Sequence, residues 1–82
     1  MSYAPFTVTI STVAGALFEG RVTAVTIPSV LGMTTILAHH EPLIALLKEG
    51  TITLTTEEGS HASYPVSGGV AEVSNNRAII LI

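Results

Sequence analysis

The feature that most constrains this chain is its supply of β-branched residues and their alternation with polar ones. Valine, isoleucine and threonine provide 27 of the 82 residues, and such side chains suit the pleated surface of a sheet better than a helix. Phe6, Val8 and Ile10 alternate with threonine, which is typical of a strand with one face in a core. The sequence therefore predicts an all-β fold.

Alternation, with turn residues between the segments, predicts a series of short strands. They cover residues 6–11, 17–27, 34–38, 43–47, 51–56, 61–66, 70–73 and 78–82. Five apolar residues at 43–47 are too few to set a period, so a single helical turn is an alternative there. Strands at this spacing indicate a β-sandwich or flattened barrel in one domain, residues 1–82.

Glycine, proline and asparagine mark the irregular positions. Gly20 interrupts the alternation and predicts a bulge or bend, and residues 28–32 predict a loop. Pro65 cannot donate a hydrogen bond to a neighbouring strand, so its strand is expected at a sheet edge. The pair Asn75 and Asn76 predicts a tight turn with positive φ.

Charge is scarce: 11% of the residues are charged, against about 25% in typical domains. Only Arg21, Lys48 and Arg77 are basic and the net charge is −3, which argues against binding to nucleic acid or to anionic lipid. A surface with so few charges is poorly protected against association. The composition thus predicts a surface that is prone to association.

No membrane-spanning segment is expected, because the longest apolar runs are five residues and a span needs about 20. The first residues show no signal-peptide pattern, so an interior compartment is expected. The chain contains no cysteine, which excludes disulfides and thiolate zinc sites.

Enzymatic chemistry is not indicated. There is no aspartate in the chain, and its six glutamates are dispersed, so neither a Ser-His-Asp triad nor a paired acid and base is predicted. His39 and His40 are adjacent and would point to opposite faces of an extended strand, which argues against a metal site. Ser67, Gly68 and Gly69 lack the flanking residues of a nucleophile turn or phosphate loop, and predict a turn instead. We expect no catalytic residue, metal or cofactor.

Four segments in register carry a resemblance to a known family. They are the opening strand at residues 6–11, residues 17–20 (Leu-Phe-Glu-Gly) leading into 22–27, residues 36–43 (Ile-Leu-Ala-His-His-Glu-Pro-Leu) followed by 47–52 (Leu-x-x-Gly-x-Ile), and residues 66–76, which open with Val-Ser-Gly-Gly and end in Asn-Asn. Together they resemble the N-terminal β-sandwich domain of the epsilon subunit of the rotary F-type ATP synthase. The likeness runs over nearly the whole chain, in a short form without the C-terminal helical domain.

The resemblance implies a ten-stranded sandwich of two five-stranded sheets at the foot of the central stalk. Its partners would be the gamma subunit and the membrane c-ring, on the inner (cytoplasmic, matrix or stromal) face of an energy-coupling membrane, and it would transmit rotation without bond chemistry. By this likeness His40, Pro42 and Leu43 would face gamma, Ser29, Val30, Leu31, Gly32 and Met33 would face the c-ring, and Ser67, Gly68 and Gly69 would be structural.

The chain departs from the family pattern at three positions. Met33 stands where the family has an acidic side chain in the loop that faces the c-ring. Ala38 and His39 stand where the family favours proline and glycine.

Two other classes of protein compete with the stalk subunit. A free-standing β-sandwich module that binds carbohydrate or peptide would use the same strands, although the chain has no tryptophan and few aromatic residues to stack on sugars. A small enzyme on a sandwich fold would need a cluster of acid, base or ligand residues. The sequence offers none.

Overall fold

Every regular element in the computed structural model, which describes residues 3–82, is a β-strand. The strands are β1 (Phe6–Thr12), β2 (Gly15–Ser29), β3 (Gly32–Ile36), β4 (Leu43–Leu47), β5 (Gly50–Thr56), β6 (His61–Val66), β7 (Gly69–Ser74) and β8 (Arg77–Leu81). The all-β prediction is confirmed. The described residues form eight strands, so the finer expectation of ten strands in two five-stranded sheets is not confirmed.

The strands pair in the order β1-β8-β7-β4-β2-β5-β6, with β3 also on β2 and an additional pairing of β1 with β2. All neighbours are antiparallel except β1 and β8, which are parallel. The 15-residue strand β2 pairs with β1 through its first half and with β3 and β5 through its second half. It therefore connects a first layer (β4, β7, β8, β1) with a second layer (β3, β5, β6).

Two bulges in β2 accompany its pairing with strands of both layers. One extra residue, Leu17, stands in β2 opposite β1, and another, Thr23, stands opposite β5. Gly20 pairs regularly with Val8, so the bulge predicted at Gly20 is wrong. A side chain there would meet Phe18, since a β-carbon at residue 20 would lie 3.2 Å from Cζ of that ring. The absence of a side chain makes room for the phenyl group.

The core lies between the layers and is filled by inward-facing side chains of all eight strands. Its buried members are Phe6, Val8, Ile10, Val22, Val25, Ile27, Ile36, Ala45, Leu47, Ile52, Leu54, Val66, Ala71, Val73, Ala78 and Ile80. No charged side chain is buried in the described part of the chain. Stability therefore comes from apolar packing, as the absence of cysteine requires.

Several local predictions are confirmed. Residues 43–47 form a strand that pairs with β7, not a helical turn, and residues 51–56 and 61–66 form the hairpin of β5 and β6. Pro65 lies in β6, the last strand in the pairing order. Asn75 and Asn76 have φ values of 52° and 58°, the conformation that a tight hairpin turn requires.

Candidate functional site

An apolar groove lies between the β2–β3 hairpin and the outer side of β4. We call it the β4 groove; it has a volume of about 440 Å³ and is lined by Ser29, Val30, Leu31, Thr34, His40, Leu43, Ile44, Ala45 and Leu46. None of these residues is an aspartate, glutamate, lysine or arginine. Such a surface recognises a partner through shape and apolar contact instead of through ion pairs.

The hairpin that forms one wall is tighter than the sequence suggested. Residues 28–32 were predicted as a loop, but β2 continues to Ser29 and β3 begins at Gly32, so only Val30 and Leu31 form the turn. Pro28 is tolerated inside β2, where it stands opposite Met33. The loop prediction is therefore wrong.

Backbone hydrogen bonds fix this hairpin against β4. The N–H of Val30 donates to the carbonyl of Leu46 at 2.9 Å, and the N–H of Lys48 donates to the carbonyl of Pro28 at 2.9 Å. Within the turn, the N–H of Leu31 donates to Oγ of Ser29 at 3.1 Å. The two walls of the groove are therefore joined by their main chains, which gives the groove a defined shape without a ligand.

The outer face of β4 exposes large apolar side chains. Ile44 and Leu46 are 72% and 62% exposed, whereas Ala45 and Leu47 between and after them are buried. Leu46 stands opposite Val70 of β7, and Val70 stands opposite Leu81 of β8. We call Leu46, Val70 and Leu81 the apolar row. It extends the β4 groove across three strands.

A tight turn before β4 places His40 at the edge of the groove. The N–H of His40 donates to the carbonyl of Leu37 at 3.3 Å, and His39 has a φ of 62°. A positive φ at the third residue is the mark of a type II turn, which favours glycine there. The Nδ1 atom of His40 lies 2.8 Å from the carbonyl oxygen of Glu41, so the imidazole is also fixed by its own neighbour.

The structure brings together five of the eight interface residues that the sequence proposed. His40 and Leu43, expected to face gamma, line the same groove as Ser29, Val30 and Leu31, expected to face the c-ring. Three others do not line it, namely Pro42, Gly32 and Met33. Pro42 and Met33 are exposed beside it.

Sequence reasoning missed Ile44, Leu46 and the apolar row. A signal was present, because a strand with one solvated face should alternate and β4 instead reads Leu-Ile-Ala-Leu-Leu. An unbroken apolar strand indicates that both of its faces are covered.

The turn of Ser67, Gly68 and Gly69 lies beside the end of β4. Gly69 stands opposite Leu47 and has a φ of 140°, a conformation that side chains with a β-carbon rarely adopt. A β-carbon at Gly68 would meet only the carbonyl oxygen of Leu47, at 3.7 Å. Gly69 is therefore the constrained position of the turn.

The outer face of the second layer has a different chemistry. Thr35, Thr26, Thr53 and Ser63 stand in register across four strands, and the hydroxyl groups of Thr26 and Thr35 lie 2.9 Å apart. A smaller depression of about 260 Å³ opens on this hydroxyl row beside Ala24 and His61. The two outer faces thus differ: the apolar row crosses one of them, where Glu72 also stands opposite Ile44, and hydroxyl groups cross the other.

Within residues 3–82, no three histidine or glutamate side chains stand close enough together to hold a metal ion. The same residues contain no helix that is long and apolar enough to cross a membrane.

The β4 groove carries no formal charge and exposes Ile44 and Leu46, which is the kind of surface that protein partners commonly cover. Residues 5–82 match the family described as the β-sandwich domain of the ATP synthase delta/epsilon chain. The chain therefore belongs to this family.

Relatives of two lengths match the chain. The ATP synthase epsilon chain of Chlorobaculum tepidum is 37% identical over 76 residues, which cover 93% of this chain and 86% of that protein. The epsilon chain of Dichelobacter nodosus is 43% identical over 77 residues, which cover 94% of this chain and 54% of that protein. This chain thus spans most of one relative and about half of the other.

The fold also matches a chain in a solved assembly. A chain in the cryo-EM structure of the Euglena gracilis mitochondrial ATP synthase, which contains OSCP, F1 and the c-ring, superposes with a TM-score of 0.88 and 26% sequence identity. The match covers 99% of this chain and 52% of that chain.

Proposed function

We propose that this chain is a non-catalytic central-stalk subunit of the F-type ATP synthase. It would join the gamma subunit to the membrane c-ring and couple rotation and proton transport to ATP synthesis. Membership of the delta/epsilon family supports this function, as does the likeness to a chain from an assembly that contains F1 and the c-ring.

The observation that carries the proposal is the β4 groove. It joins the residues expected to face gamma, His40 and Leu43, with an exposed apolar strand face at Ile44 and Leu46. Exposed side chains of this size on one face are unfavourable in water and are typical of a surface that a partner covers. Pro42 lies beside the groove and would contact the rim of the same partner.

The tip of the β2–β3 hairpin is the proposed contact with the c-ring. Leu31 is 96% exposed and Met33 is 64% exposed, although turn positions usually carry polar residues. Val30 lies on the groove side of the same turn, with Ser29 and Gly32 at its two ends. One side of the hairpin would thus face gamma while its tip meets the ring.

The ten-stranded architecture that the family resemblance implies can be obtained by dividing β2 into shorter strands. If β2 is divided at its bulges, Leu17 and Thr23, its three segments bring the count of strands to ten, shared between two layers. Ser67, Gly68 and Gly69 would then serve as a structural turn between the layers. That residues 1–82 make a single domain stays a prediction.

The complex would sit at the inner face of an energy-coupling membrane as a peripheral component. No nucleic acid, metal or cofactor is part of the proposed function. Attachment would run through protein contacts alone, because three basic residues in the whole chain give little attraction to anionic lipid.

Co-expression with the gamma subunit from the same source tests the function. A stable one-to-one complex in size-exclusion chromatography and native mass spectrometry is the expected result. A chain that stays free of gamma would contradict the stalk function and would favour the alternative, a free-standing β-sandwich binding module. The hydroxyl row of Thr26, Thr35, Thr53 and Ser63 would then be the first surface to search for a ligand.

A further inference from the structure

Asn76 connects three separate parts of the chain. It lies in the β7–β8 turn with a φ of 58°. Its Oδ1 atom accepts a hydrogen bond from the N–H of His39 at 2.8 Å, and its Nδ2 donates to the carbonyl of Pro5 at 3.5 Å. Its own carbonyl accepts from the N–H of Thr7 at 3.4 Å. The bond to His39 is the shortest of the three and spans 37 residues of sequence.

The segment that Asn76 contacts has one backbone hydrogen bond within it, and Ala38 is its one apolar residue that packs against the core. Residues 37–42 lie between β3 and β4 and belong to no strand. The turn inside this segment is closed by a bond of 3.3 Å from His40 to Leu37, and His39 holds a positive φ of 62° that costs a residue with a β-carbon about 1–2 kcal/mol. A strained turn with one weak internal bond needs an external contact to keep one conformation.

The position of this turn sets where the His40 edge of the β4 groove lies. His40 directly follows the residue that Asn76 holds, and its side chain lines the groove together with Leu43. Movement at His39 would therefore move one wall of the groove, while β4 itself stays fixed by its pairing with β7. The effect of Asn76 on the groove would pass through His39.

We propose that Asn76 is a positioning residue, whose amide oxygen holds the His39 turn and so presets the His40 wall of the β4 groove for its partner. The identity of that partner as gamma rests on the proposed function. The contact between Asn76 and His39 does not rest on it.

Two substitutions at Asn76 separate the oxygen acceptor from the backbone conformation. Asn76→Gly keeps the positive φ readily and removes the amide, whereas Asn76→Asp keeps an oxygen that can accept from His39. Asn75→Gly is the matched control, because Asn75 has a similar φ of 52° in the same turn. Its side chain makes none of the side-chain hydrogen bonds found in residues 3–82.

The first readout is the rate of amide hydrogen exchange at His39, measured by NMR on the whole chain. Loss of one hydrogen bond corresponds to about a tenfold change in an equilibrium, so exchange at His39 should accelerate about tenfold in Asn76→Gly. Exchange should stay near the wild-type rate in Asn76→Asp and in Asn75→Gly. The second readout is affinity for gamma, which should fall several-fold in Asn76→Gly and be restored in Asn76→Asp.

The outcomes that overturn the proposal are distinct from those that overturn the function. The proposal is overturned if the His39 amide exchanges at the same rate in Asn76→Gly and in the wild type. It is also overturned if this rate in Asn76→Asp equals that in Asn76→Gly. Should Asn76→Gly not fold, a wild-type His39 amide that exchanges at the unprotected rate would overturn it. If gamma binds neither the wild type nor any variant, the stalk function is contradicted. The hydrogen-exchange rates at His39 still decide the role of Asn76.

Discussion

The backbone of Gly69 packs directly against the carbonyl of Leu81, where β7 and β8 pair at the end of the first layer. A β-carbon at residue 69 would overlap that carbonyl oxygen and would come within 3.1 Å of the α-carbon of Ile82. The φ of Gly69 is 140°, which also disfavours any side chain. Glycine is therefore required here for two separate physical reasons.

Gly69→Ala should destabilise the fold by at least about 2 kcal/mol, because backbone strain and steric overlap act together. Urea denaturation of both proteins measures the difference. Gly15→Ala is the matched control, since Gly15 has a φ of 132° and no neighbouring atom within 4 Å of the added carbon. Equal losses in the two variants would show that the contact with Leu81 adds nothing.

His39→Gly should stabilise the protein. The side chain of His39 is exposed and its φ is 62°, so glycine removes a strain of about 1–2 kcal/mol. The greater freedom of glycine in the unfolded chain cancels part of the gain, about 0.4–1 kcal/mol. A net gain of about 0.5–1 kcal/mol would raise Tm by several degrees. A lower Tm would mean that the histidine side chain makes a stabilising contact.

Gly50→Ala should disturb the β2–β3 hairpin close to its turn. A β-carbon at Gly50 would lie 2.8 Å from Cβ of Pro28, and Pro28 is buried and rigid. Either the proline or β5 must shift, at a cost of about 1–3 kcal/mol. Thermal unfolding gives the loss, and Gly68→Ala, whose added carbon has space, should change Tm little. The prediction is wrong if the two variants have the same Tm.

Binding to gamma should depend only weakly on salt. The residues that line the β4 groove include no aspartate, glutamate, lysine or arginine, so few ion pairs would be screened when the ionic strength rises. Titration calorimetry at about 0.05 M and 0.5 M salt should give dissociation constants within about threefold of each other, given the scale of screening over this range. A loss of affinity of a hundredfold would place the main contact on the charged residues instead.

Local pattern was enough to predict much of the fold. Residues 51–56 and 61–66 alternate cleanly around a four-residue turn, and the Asn75-Asn76 pair has few alternatives to a tight turn. Both predictions depend only on neighbours in sequence, and the structure confirms both.

What the sequence could not predict depends on distant strands. The bulges at Leu17 and Thr23 exist because β2 must match the register of β1 and then of β5, and no local signal marks them. The sequence predicts a loop over residues 28–32, but Pro28 is accommodated in β2 opposite Met33. The contact between Asn76 and His39 joins residues 37 apart, so only the folded chain reveals it.

Affinity for gamma in two charge variants tests the central claim most directly. Leu46→Glu places a carboxylate in the β4 groove, and Thr53→Glu places one on the exposed hydroxyl row of the opposite face. Burying an unpaired charge in an apolar interface is costly, so Leu46→Glu should weaken binding by at least about tenfold while Thr53→Glu binds like the wild type. Both should unfold near the wild-type temperature. Wild-type affinity in Leu46→Glu, or a greater loss in Thr53→Glu, would contradict the assignment of the β4 groove as the gamma interface.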